Sequence, residues 1–421
     1  MRPLAVALAA LVVVPAASAW TTLSTGVINT VVPSMLVTQA GTELVSFETP
    51  GARTISVSRS RGAPKVVVTS DPIAGRTQLL QQPNGAIQLY FPNADGVARL
   101  TSTDDGQSWT GPIQTQSHTI GGVMGAAVAP DGTPYFSQDG TGFVNVFRGL
   151  NGESVKNVFP RCCGYAESLA VDSTGLVQVA FYSNADPDGT FLYERLAGDL
   201  SVAGSTPLKP TAPHDDRAPL VADHSGSTFM AWPPGYPTAT KLTIVPFRGG
   251  QPVGDGVSFA GAFTGGDPHP ALAVDAQDRL WAVWTIGGAV HVARSRSHGA
   301  HFGAVVASPP AGGTEYQVSA TALPGTPGAV DVIVNTGSSL VEQQLPPGLS
   351  VKVTHTSKKV GKKTIVTYFA QALDDGFGVP TATFKIGGRT FHANAAGKAK
   401  VPRGRGTAAA PGYAGAPLRV P

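Results

Sequence analysis

The sequence predicts an all-β chain, on three observations. It holds 51 Gly and 35 Pro among 421 residues, and no long apolar stretch of 3.6-residue period lies between them. Hairpin-turn signals recur every 43 to 52 residues. A Phe or Trp follows most of these turns six residues later. A period of this length is typical of four short strands per repeat, so we predict a β-propeller followed by a smaller module.

The first 19 residues have the pattern of a secretory signal peptide. Arg2 supplies the charged end, Leu4 to Val14 the apolar run, and Ala17-Ser18-Ala19 a small-residue cleavage site. The apolar run is too short to span a bilayer as a helix. We therefore predict cleavage before Trp20 and a secreted, extracellular chain without a transmembrane anchor.

The repeat region, predicted over residues 20–348, is marked by its first hairpin turns. These turns fall at Gly41, Gly85, Gly132, Gly175, Gly226, Asp278 and Gly328. The aromatic six residues later is Phe47, Phe91, Phe181, Trp232 or Trp284, and the third repeat departs with Phe136. Seven turns favour seven blades, with six as the alternative. The last repeat lacks an outer strand, so Thr22–Val32 is expected to pair into it and close the ring.

One turn carries a more specific motif. Ser102–Trp109 reads S-x-D-x-G-x-x-W, in which Ser102, Asp104, Gly106 and Trp109 are the defining residues. Asp104 is suited to accept hydrogen bonds from its own turn, and Gly106 to adopt a positive φ. Trp109 is suited to bury its ring against the neighbouring strand. Eroded copies end at Gly62, Gly152 and Gly299, each 20 or 21 residues after a first turn.

This stretch resembles the Asp-box of sialidase-type (BNR-repeat) β-propellers, in which the box is structural. The resemblance implies three arginines that grip a carboxylate, a tyrosine nucleophile paired with a glutamate, and an acid/base aspartate. Only Arg161 and Arg217 fall on the expected site face. Tyr316 adjoins Glu315, and neighbours on a strand point to opposite faces. Asp216 or Asp267 remains a candidate acid. No catalytic residue is assigned.

A ligand site is expected where the first strand of each blade begins. These strands are expected at Gly125–Ala129, Ser168–Asp172, Pro219–Asp223, Ala271–Asp275 and Val318–Thr321. Residues just ahead of them should crowd the mouth of the central channel. The candidate ligand-binding residues are Arg161, Tyr165, Glu167, Asp216, Arg217, Asp267, His269, Glu315 and Tyr316.

The two cysteines, Cys162 and Cys163, are adjacent and lie in the loop ahead of one first strand. Their Cα atoms are about 3.8 Å apart, too close for a disulfide of ordinary geometry. A strained vicinal disulfide and two incidental loop thiols both remain open in an oxidising compartment.

Residues 349–421 differ in composition from the repeats and are predicted to form a β-sandwich module. They contain 12 Lys and Arg against 2 Asp, whereas residues 1–348 contain 18 basic and 25 acidic residues. The strand rhythm around Gly378–Lys385 resembles bacterial Ig-like and carboxypeptidase-regulatory-like modules. Electrostatic contact with anionic envelope polymers is one expectation for this basic module, and a solvated face is the other. No aromatic residues interleave the charges, so nucleic-acid binding is not expected.

Together these features predict a secreted β-propeller that binds a glycan or a protein at the cell exterior without catalysis. The alternative is a sialidase-like exo-glycosidase acting on an acidic sugar, and a purely structural or adhesive propeller is a third possibility. Asn184–Gly189 carries oxygen ligands, but such sequences are more often Asx-turns. We predict no cofactor and no metal ion.

Overall fold

The computed structural model describes residues 12–13, 20–28, 31–49, 53–69, 76–118, 122–140, 143–159, 164–183, 190–208, 218–234, 239–261, 269–313 and 317–421. Throughout these ranges the secondary structure is β-strand and turn, which agrees with the all-β prediction. No helix that could cross a membrane occurs in them. Two short N-terminal strands come first: β1 (Val12–Val13) and β2 (Thr21–Thr25).

Seven successive sheets follow, each built mainly of antiparallel neighbours in chain order. Sheet 1 contains β3 (Ser34–Val37), β4 (Glu43–Thr49), β5 (Thr54–Arg59) and β6 (Lys65–Val68). Sheet 2 contains β7 (Gln78–Gln81), β8 (Ile87–Asn93), β9 (Gly96–Ser102) and β10 (Thr110–Gln114). Sheet 3 contains β11 (Val123–Val128), β12 (Pro134–Gly140), β13 (Phe143–Arg148) and β14 (Ser154–Phe159). Sheet 4 contains β15 (Gly164–Val171), β16 (Val177–Ser183), β17 (Thr190–Leu196) and β18 (Val202–Leu208).

The remaining three sheets depart slightly from this plan. Sheet 5 contains β19 (Leu220–Ala222), β20 (Ser227–Trp232) and β21 (Lys241–Arg248), with β22 (Gln251–Pro252) and β23 (Val257–Ala260) both paired to β21. Sheet 6 contains β24 (Ala271–Val274), β25 (Leu280–Ile286), β26 (Ala289–Ser295) and β27 (Val306–Pro310), with β1 parallel to β27. Sheet 7 contains β28 (Gln317–Leu323), β29 (Ala329–Asn335), β30 (Ser339–Leu345) and β2.

The first strands of the seven sheets form a closed ring. Each contacts the first strand of the next sheet, and β28 contacts β3. The first strands start at the same end of the ring: near the start of β28, the Ser319 hydroxyl donates to the Pro33 carbonyl just before β3 at 2.7 Å. First turns meet first turns: His224 Nδ1 lies 2.7 Å from Asp278 Oδ1. The ring therefore has two ends, called here the mouth end, where the first strands start, and the hairpin end, where their turns lie.

The turn positions predicted from the sequence are confirmed by the backbone. All seven have φ between +56° and +90°. Six are glycines, for which this left-handed region carries no Cβ penalty, and Asp278 is of a type that tolerates it. The recurring aromatics are buried, from Phe47 in sheet 1 to Trp284 in sheet 6. They fill clusters shared between adjacent sheets, so the sheets cannot bury their faces alone.

The N-terminal strand completes sheet 7. β2 pairs antiparallel with β30, and Thr21 lies opposite Glu342. The Asn335 side-chain amide donates to the carbonyls of Ile28 and Val31, at 2.8 and 2.7 Å, and holds the chain that leads into sheet 1. The predicted pairing of the first strand into the last sheet is confirmed, although the strand ends at Thr25.

The Ser102–Trp109 turn between β9 and β10 makes the hydrogen bonds expected of its residues. Asp104 Oδ1 accepts from the Ser102 hydroxyl at 2.8 Å and from the Ser108 amide at 2.9 Å. The Gly106 amide donates to Ser102 Oγ at 2.9 Å. Trp109 packs against the apolar cluster shared by sheets 1 and 2. The Asp104 carboxylate thus closes its own turn.

A contact not foreseen from the sequence joins neighbouring sheets at the hairpin end. In four sheets, the residue before the glycine of the turn between the third and fourth strands contacts the preceding sheet. Asp105 accepts from Arg59 at 2.9 Å, and Asn151 accepts from Arg99 at 3.0 Å. His298 Nδ1 lies 2.9 Å from Asp223 Oδ2. Arg61 of sheet 1 reaches two carboxylates of sheet 7. These side chains tie consecutive sheets together.

The C-terminal residues form two sheets around one core. The first contains β31 (Ser350–Val360), β32 (Lys363–Asp374), β33 (Phe377–Gly378) and β36 (Lys398–Val401). The second contains β34 (Thr383–Ile386), β35 (Arg389–His392), β37 (Gly404–Ala409) and β38 (Ala416–Val420). The core contains Leu349, Phe384 and Leu418.

The junction between the ring and these two sheets is closely packed. Gly348 bridges both Ala304 and Ala414, and an added Cβ there would meet the Ala304 oxygen at 2.4 Å. Arg294 and Asp374, each 1% exposed, form a buried ion pair across the joint. The boundary between residues 348 and 349, which the sequence marks by a change in composition, thus lies in closely packed chain.

Candidate functional site

The structure describes only part of the predicted ligand site. Arg161, Asp216, Arg217, Asp267, Glu315 and Tyr316 lie outside the described residues, as do Cys162, Cys163 and the loop Asn184–Gly189. Tyr165 and Glu167 lie in β15 near its start, and His269 lies two residues before β24 with φ of +36°. These three positions are all at the mouth end of the ring.

Two neighbouring first strands are bulged at the mouth end. In β11 the register shifts between Val123 and Gly125. In β15 it shifts between Tyr165 and Ser168, so Glu167 lies inside the irregular segment. A bulge inserts an unpaired residue and re-aims the side chains around it. Sheets 3 and 4 therefore present non-repeating backbone to the channel mouth.

Buried polar side chains lie beneath the mouth, at the ends of the second strands. Their exposed fractions are 3% or less: Glu48, Gln138, Ser183, Thr285 and Asn335. Buried polar groups of this kind are normally held by hydrogen bonds, as the Ser117 hydroxyl holds Gln138 Oε1 at 2.5 Å. They form a buried polar layer between the sheets at the mouth end.

Arg76 is a mouth-end residue that the sequence reasoning missed. It stands two positions before β7, which is the placement used to choose the other candidates. The first two blades were left out of that alignment of first strands. Extending the same register to sheet 2 would have found it.

A second cluster lies at the hairpin end, between sheets 1 and 7. Glu43 of β4, Asp331 of β29 and Glu342 of β30 are 6%, 0% and 2% exposed. Each offers one oxygen, and these atoms all lie within 4.8 Å of one another. Arg61 Nη2 lies 3.5 Å from Asp331 Oδ1, and Arg61 Nε lies 3.2 Å from Glu342 Oε2. Three carboxyl groups thus face one guanidinium group, which is 33% exposed.

Burial dominates the electrostatics of this cluster. Desolvation raises the pKa of Asp331 to about 8 and that of Glu342 to about 7. The contact with Glu43 adds to the rise at Asp331, and the contact with Asp331 adds to the rise at Glu342. Desolvation also raises the pKa of Glu43, while Arg61 lowers all three values by a smaller amount. Taking three carboxylates out of water beside a single cation is costly unless protons or a further cation neutralise them.

The cluster could not be predicted from local sequence. Asp331 and Glu342 come from the last sheet and Glu43 from the first, and only closure of the ring brings them together. Each residue alone is an acidic side chain in a strand, with no spacing that marks a site. The expectation of no metal ion was made without this geometry.

No protein-family model matches the chain, and no curated protein is similar to it in sequence. Solved structures with a similar fold are β-propeller-type proteins. A virginiamycin B lyase from Staphylococcus aureus is 12% identical over 77% of this chain and 98% of its own, with a TM-score of 0.49. A gluconolactonase from Xanthomonas campestris is 10% identical over 81% and 99%, with a TM-score of 0.41.

An aldose sugar dehydrogenase from Streptomyces coelicolor is 17% identical over 64% of this chain and 93% of its own, with a TM-score of 0.38. At these identities and scores the similarities give no argument about activity. The ring architecture rests on the strand pairing and on the contacts between first strands.

Proposed function

We propose that this chain is a secreted, seven-bladed Asp-box propeller that binds a glycan at its mouth end without catalysis, and that its C-terminal module is Ig-like. The seven turns, the seven first strands in a closed ring and the Ser102–Trp109 turn support this reading. The signal-like residues 1–19 support export.

The observation that carries the binding site is the pair of bulged first strands. β11 and β15 are neighbours in the ring, and both lose regular pairing at the mouth end. Ligand sites are favoured where a rigid scaffold presents irregular backbone and polar groups around a concavity. His269 beside β24 and the backbone position of Glu167 in the β15 irregularity are the described positions that we assign to this face.

A glycan fits this face better than a protein partner does. Among the described residues of the ring, exposed aliphatic side chains recur on the fourth strands, as with Val66, Ile113, Val155 and Val202. They occur singly, one to a sheet, on the outside of the ring. Single exposed apolar residues are normal, whereas a protein-binding surface usually shows a contiguous patch. The residues that the sequence predicts at the mouth end are instead mainly polar or charged, which suits hydroxyl-rich ligands.

Glycan-array screening of the purified mature chain, with Glu167→Gln and His269→Ala, tests this proposal. Binding that both substitutions weaken by roughly 10-fold or more supports a mouth-end site. Asp131→Asn, on an exposed first turn at the hairpin end, is the matched control and should bind like the native chain. No glycan bound, or binding insensitive to both mouth-end changes, would reject the proposal.

A sialidase-like exo-glycosidase is the alternative that this screen must exclude. It would need arginines around a carboxylate-sized spot. Arg76 adds one described arginine to Arg161 and Arg217 of the sequence prediction. A panel of fluorogenic glycosides, sialosides included, tests this directly. Turnover that disappears in Arg217→Ala and in Arg76→Ala would replace the binding proposal with catalysis.

For the C-terminal module we propose contact with anionic polymers of the cell envelope. The hairpin of β31 and β32 is exposed continuously over residues 355–366 and carries Lys358, Lys359, Lys362 and Lys363. The module's two acidic residues, Asp374 and Asp375, are buried at the joint with the ring. The outer part of the hairpin extends roughly 15–20 Å, so its positive field is not cancelled locally.

Retention of the chain on immobilised poly(glycerol phosphate) tests the contact. Replacing the four hairpin lysines by glutamine should abolish retention, and added salt should weaken it in the native chain because the charges are solvent-exposed. The combined change of Lys385, Arg389, Lys398 and Lys400 to glutamine removes four charges elsewhere in the same module and is the matched control. Equal losses in both variants would point to net charge rather than to the hairpin.

A further inference from the structure

The carboxyl cluster at the seam of sheets 7 and 1 differs from the other contacts between sheets. At the three comparable seams, one or two donors face one or two acceptors, as Asn151 accepts from Arg99. At this seam Arg61 alone faces Glu43, Asp331 and Glu342. If all three carboxyl groups are ionised, the group carries a net charge of about −2 in a buried place. A contact that only joins two sheets does not require more carboxyl groups than cations.

The unpaired oxygens of the cluster are a second, separate observation. Glu43 Oε1, Asp331 Oδ2 and Glu342 Oε1 are fully buried and meet no N–H or hydroxyl donor among the described residues. The hydrogen bonds of Asp331 with the two glutamates join one carboxyl group to another. The other Asp331 oxygen is satisfied, because it accepts from the Val332 amide at 3.2 Å and from Arg61 at 3.5 Å. Buried carboxylate oxygens without donors are rare in proteins and call for a specific partner.

We propose that Glu43, Asp331 and Glu342 bind one divalent cation, Ca²⁺ by preference, at the seam where the ring closes. The donors are carboxylate oxygens from three strands of two sheets. Oxygen-only donor sets suit Ca²⁺ and Mg²⁺ rather than the softer transition metals. Ca²⁺ tolerates irregular coordination better than Mg²⁺, which demands octahedral geometry and keeps its waters.

Arg61 sets how the ion enters. It is the only partly exposed member of the group and lies over the two carboxylates of sheet 7. Its guanidinium group competes with a cation for the same negative charge, so it must shift outward as the ion binds. Removing the Arg61 side chain should therefore tighten cation binding while loosening the tie between sheets in the cation-free protein.

The test uses the full mature chain, stripped with a chelator and titrated with Ca²⁺ or Mg²⁺ in a calorimeter. We expect one Ca²⁺ site and a thermal midpoint that rises by at least about 2–4 °C at saturating Ca²⁺. Asp331→Asn and Glu342→Gln keep the side-chain shape and should each remove this site. Arg61→Ala should keep it with at least a few-fold higher affinity.

The controls separate this site from other acidic groups and from misfolding. Asp131→Asn changes an exposed carboxylate on another turn and should leave the titration unchanged. Glu43→Gln offers a milder change if the Asp331 variant fails to fold. Absence of Ca²⁺ binding by the native chain would overturn the proposal whatever the variants do. So would native-like binding in a folded Asp331→Asn or Glu342→Gln protein, since the ion would then be held elsewhere.

Discussion

Gly106 meets two separate requirements in the Ser102–Trp109 turn. Its φ is +81°, and a Cβ there would lie 2.7 Å from Leu44 Cδ2 of the preceding sheet. Gly41 has the same φ of +81° but open space around it. Left-handed backbone costs a non-glycine residue about 1 kcal/mol, whereas overpacking adds about 1–3 kcal/mol.

We therefore expect Gly106→Ala to lower the thermal midpoint more than Gly41→Ala does. The Gly41 substitution measures the backbone cost alone, and the difference between the two variants measures the packing against Leu44. Equal midpoints would mean that Leu44 moves aside without cost.

The Asp104 carboxylate has a folded-state pKa that its hydrogen bonds hold low. The Ser108 hydroxyl and amide and the Ser102 hydroxyl lower its pKa from 3.8 to about 2. A lowered pKa stabilises the fold above the unfolded value, and that contribution is lost as pH falls through the folded value. The contribution of Asp104 should thus be complete above about pH 5, fall steeply between about pH 4 and 2, and vanish only below the folded value.

Comparing the thermal midpoints of the native chain and Asp104→Asn tests this window. The gap between them should shrink as the pH is lowered from about 4 to 2. Ser108→Ala removes the largest cause and should raise the Asp104 pKa, measurable by NMR titration. A gap that does not change with pH in this range would contradict the assignment.

At the scale of elements, the turn between β26 and β27 is closed by a carboxylate from the C-terminal module, that of Asp375. Ser297 stands where Asp104 stands in sheet 2, and its hydroxyl accepts from the His301 amide at 3.0 Å. Asp375 Oδ2 accepts from that hydroxyl at 2.9 Å and from the Arg296 amide at 2.7 Å. The turn that lacks the aspartate of the motif is thus completed by Asp375, and this contact joins the C-terminal module to sheet 6.

Asp375→Asn should weaken this joint while leaving both cores intact, because it removes a charged acceptor from two donors. We expect scanning calorimetry to resolve separate ring and module transitions in the variant, where the native chain unfolds with the two more closely coupled. Lys385→Gln, on β34 of the module, changes charge away from the joint and serves as the control. Unchanged coupling in Asp375→Asn would mean that the Arg294–Asp374 pair suffices alone.

At the scale of the whole molecule, the ring depends on a strand from its other end. Deleting residues 20–25 removes β2 and leaves the β30 edge unpaired. An open edge strand favours pairing with other chains, so we expect a lower thermal midpoint and concentration-dependent association. Light scattering measures the association. A monomer of native stability would mean that sheet 7 stands without its fourth strand.

The sequence predicted the features that local chemistry imposes. A left-handed turn needs Gly or a tolerant residue, so all seven first turns left marks at Gly41 through Gly328. The missing outer strand of the last repeat pointed to β2, because an unpaired sheet edge has to be closed by another strand. The carboxyl cluster left no mark, because Glu43 and Asp331 meet only through ring closure. The joint at Asp375 was hidden likewise, since its partners lie in another domain.

Because β2 is antiparallel to β30, the chain enters and leaves the ring at the same edge of the seam. Thr21 lies opposite Glu342, close to where β30 continues into the module. Tension applied between Trp20 and the module would therefore load the β2–β30 pairs one after another, like a zipper, rather than shearing them together. The first pair loaded contains Glu342. Under mechanical force β2 should therefore peel away from β30 at low load and leave an open edge on sheet 7, while the carboxyl cluster on β4, β29 and β30 stays together.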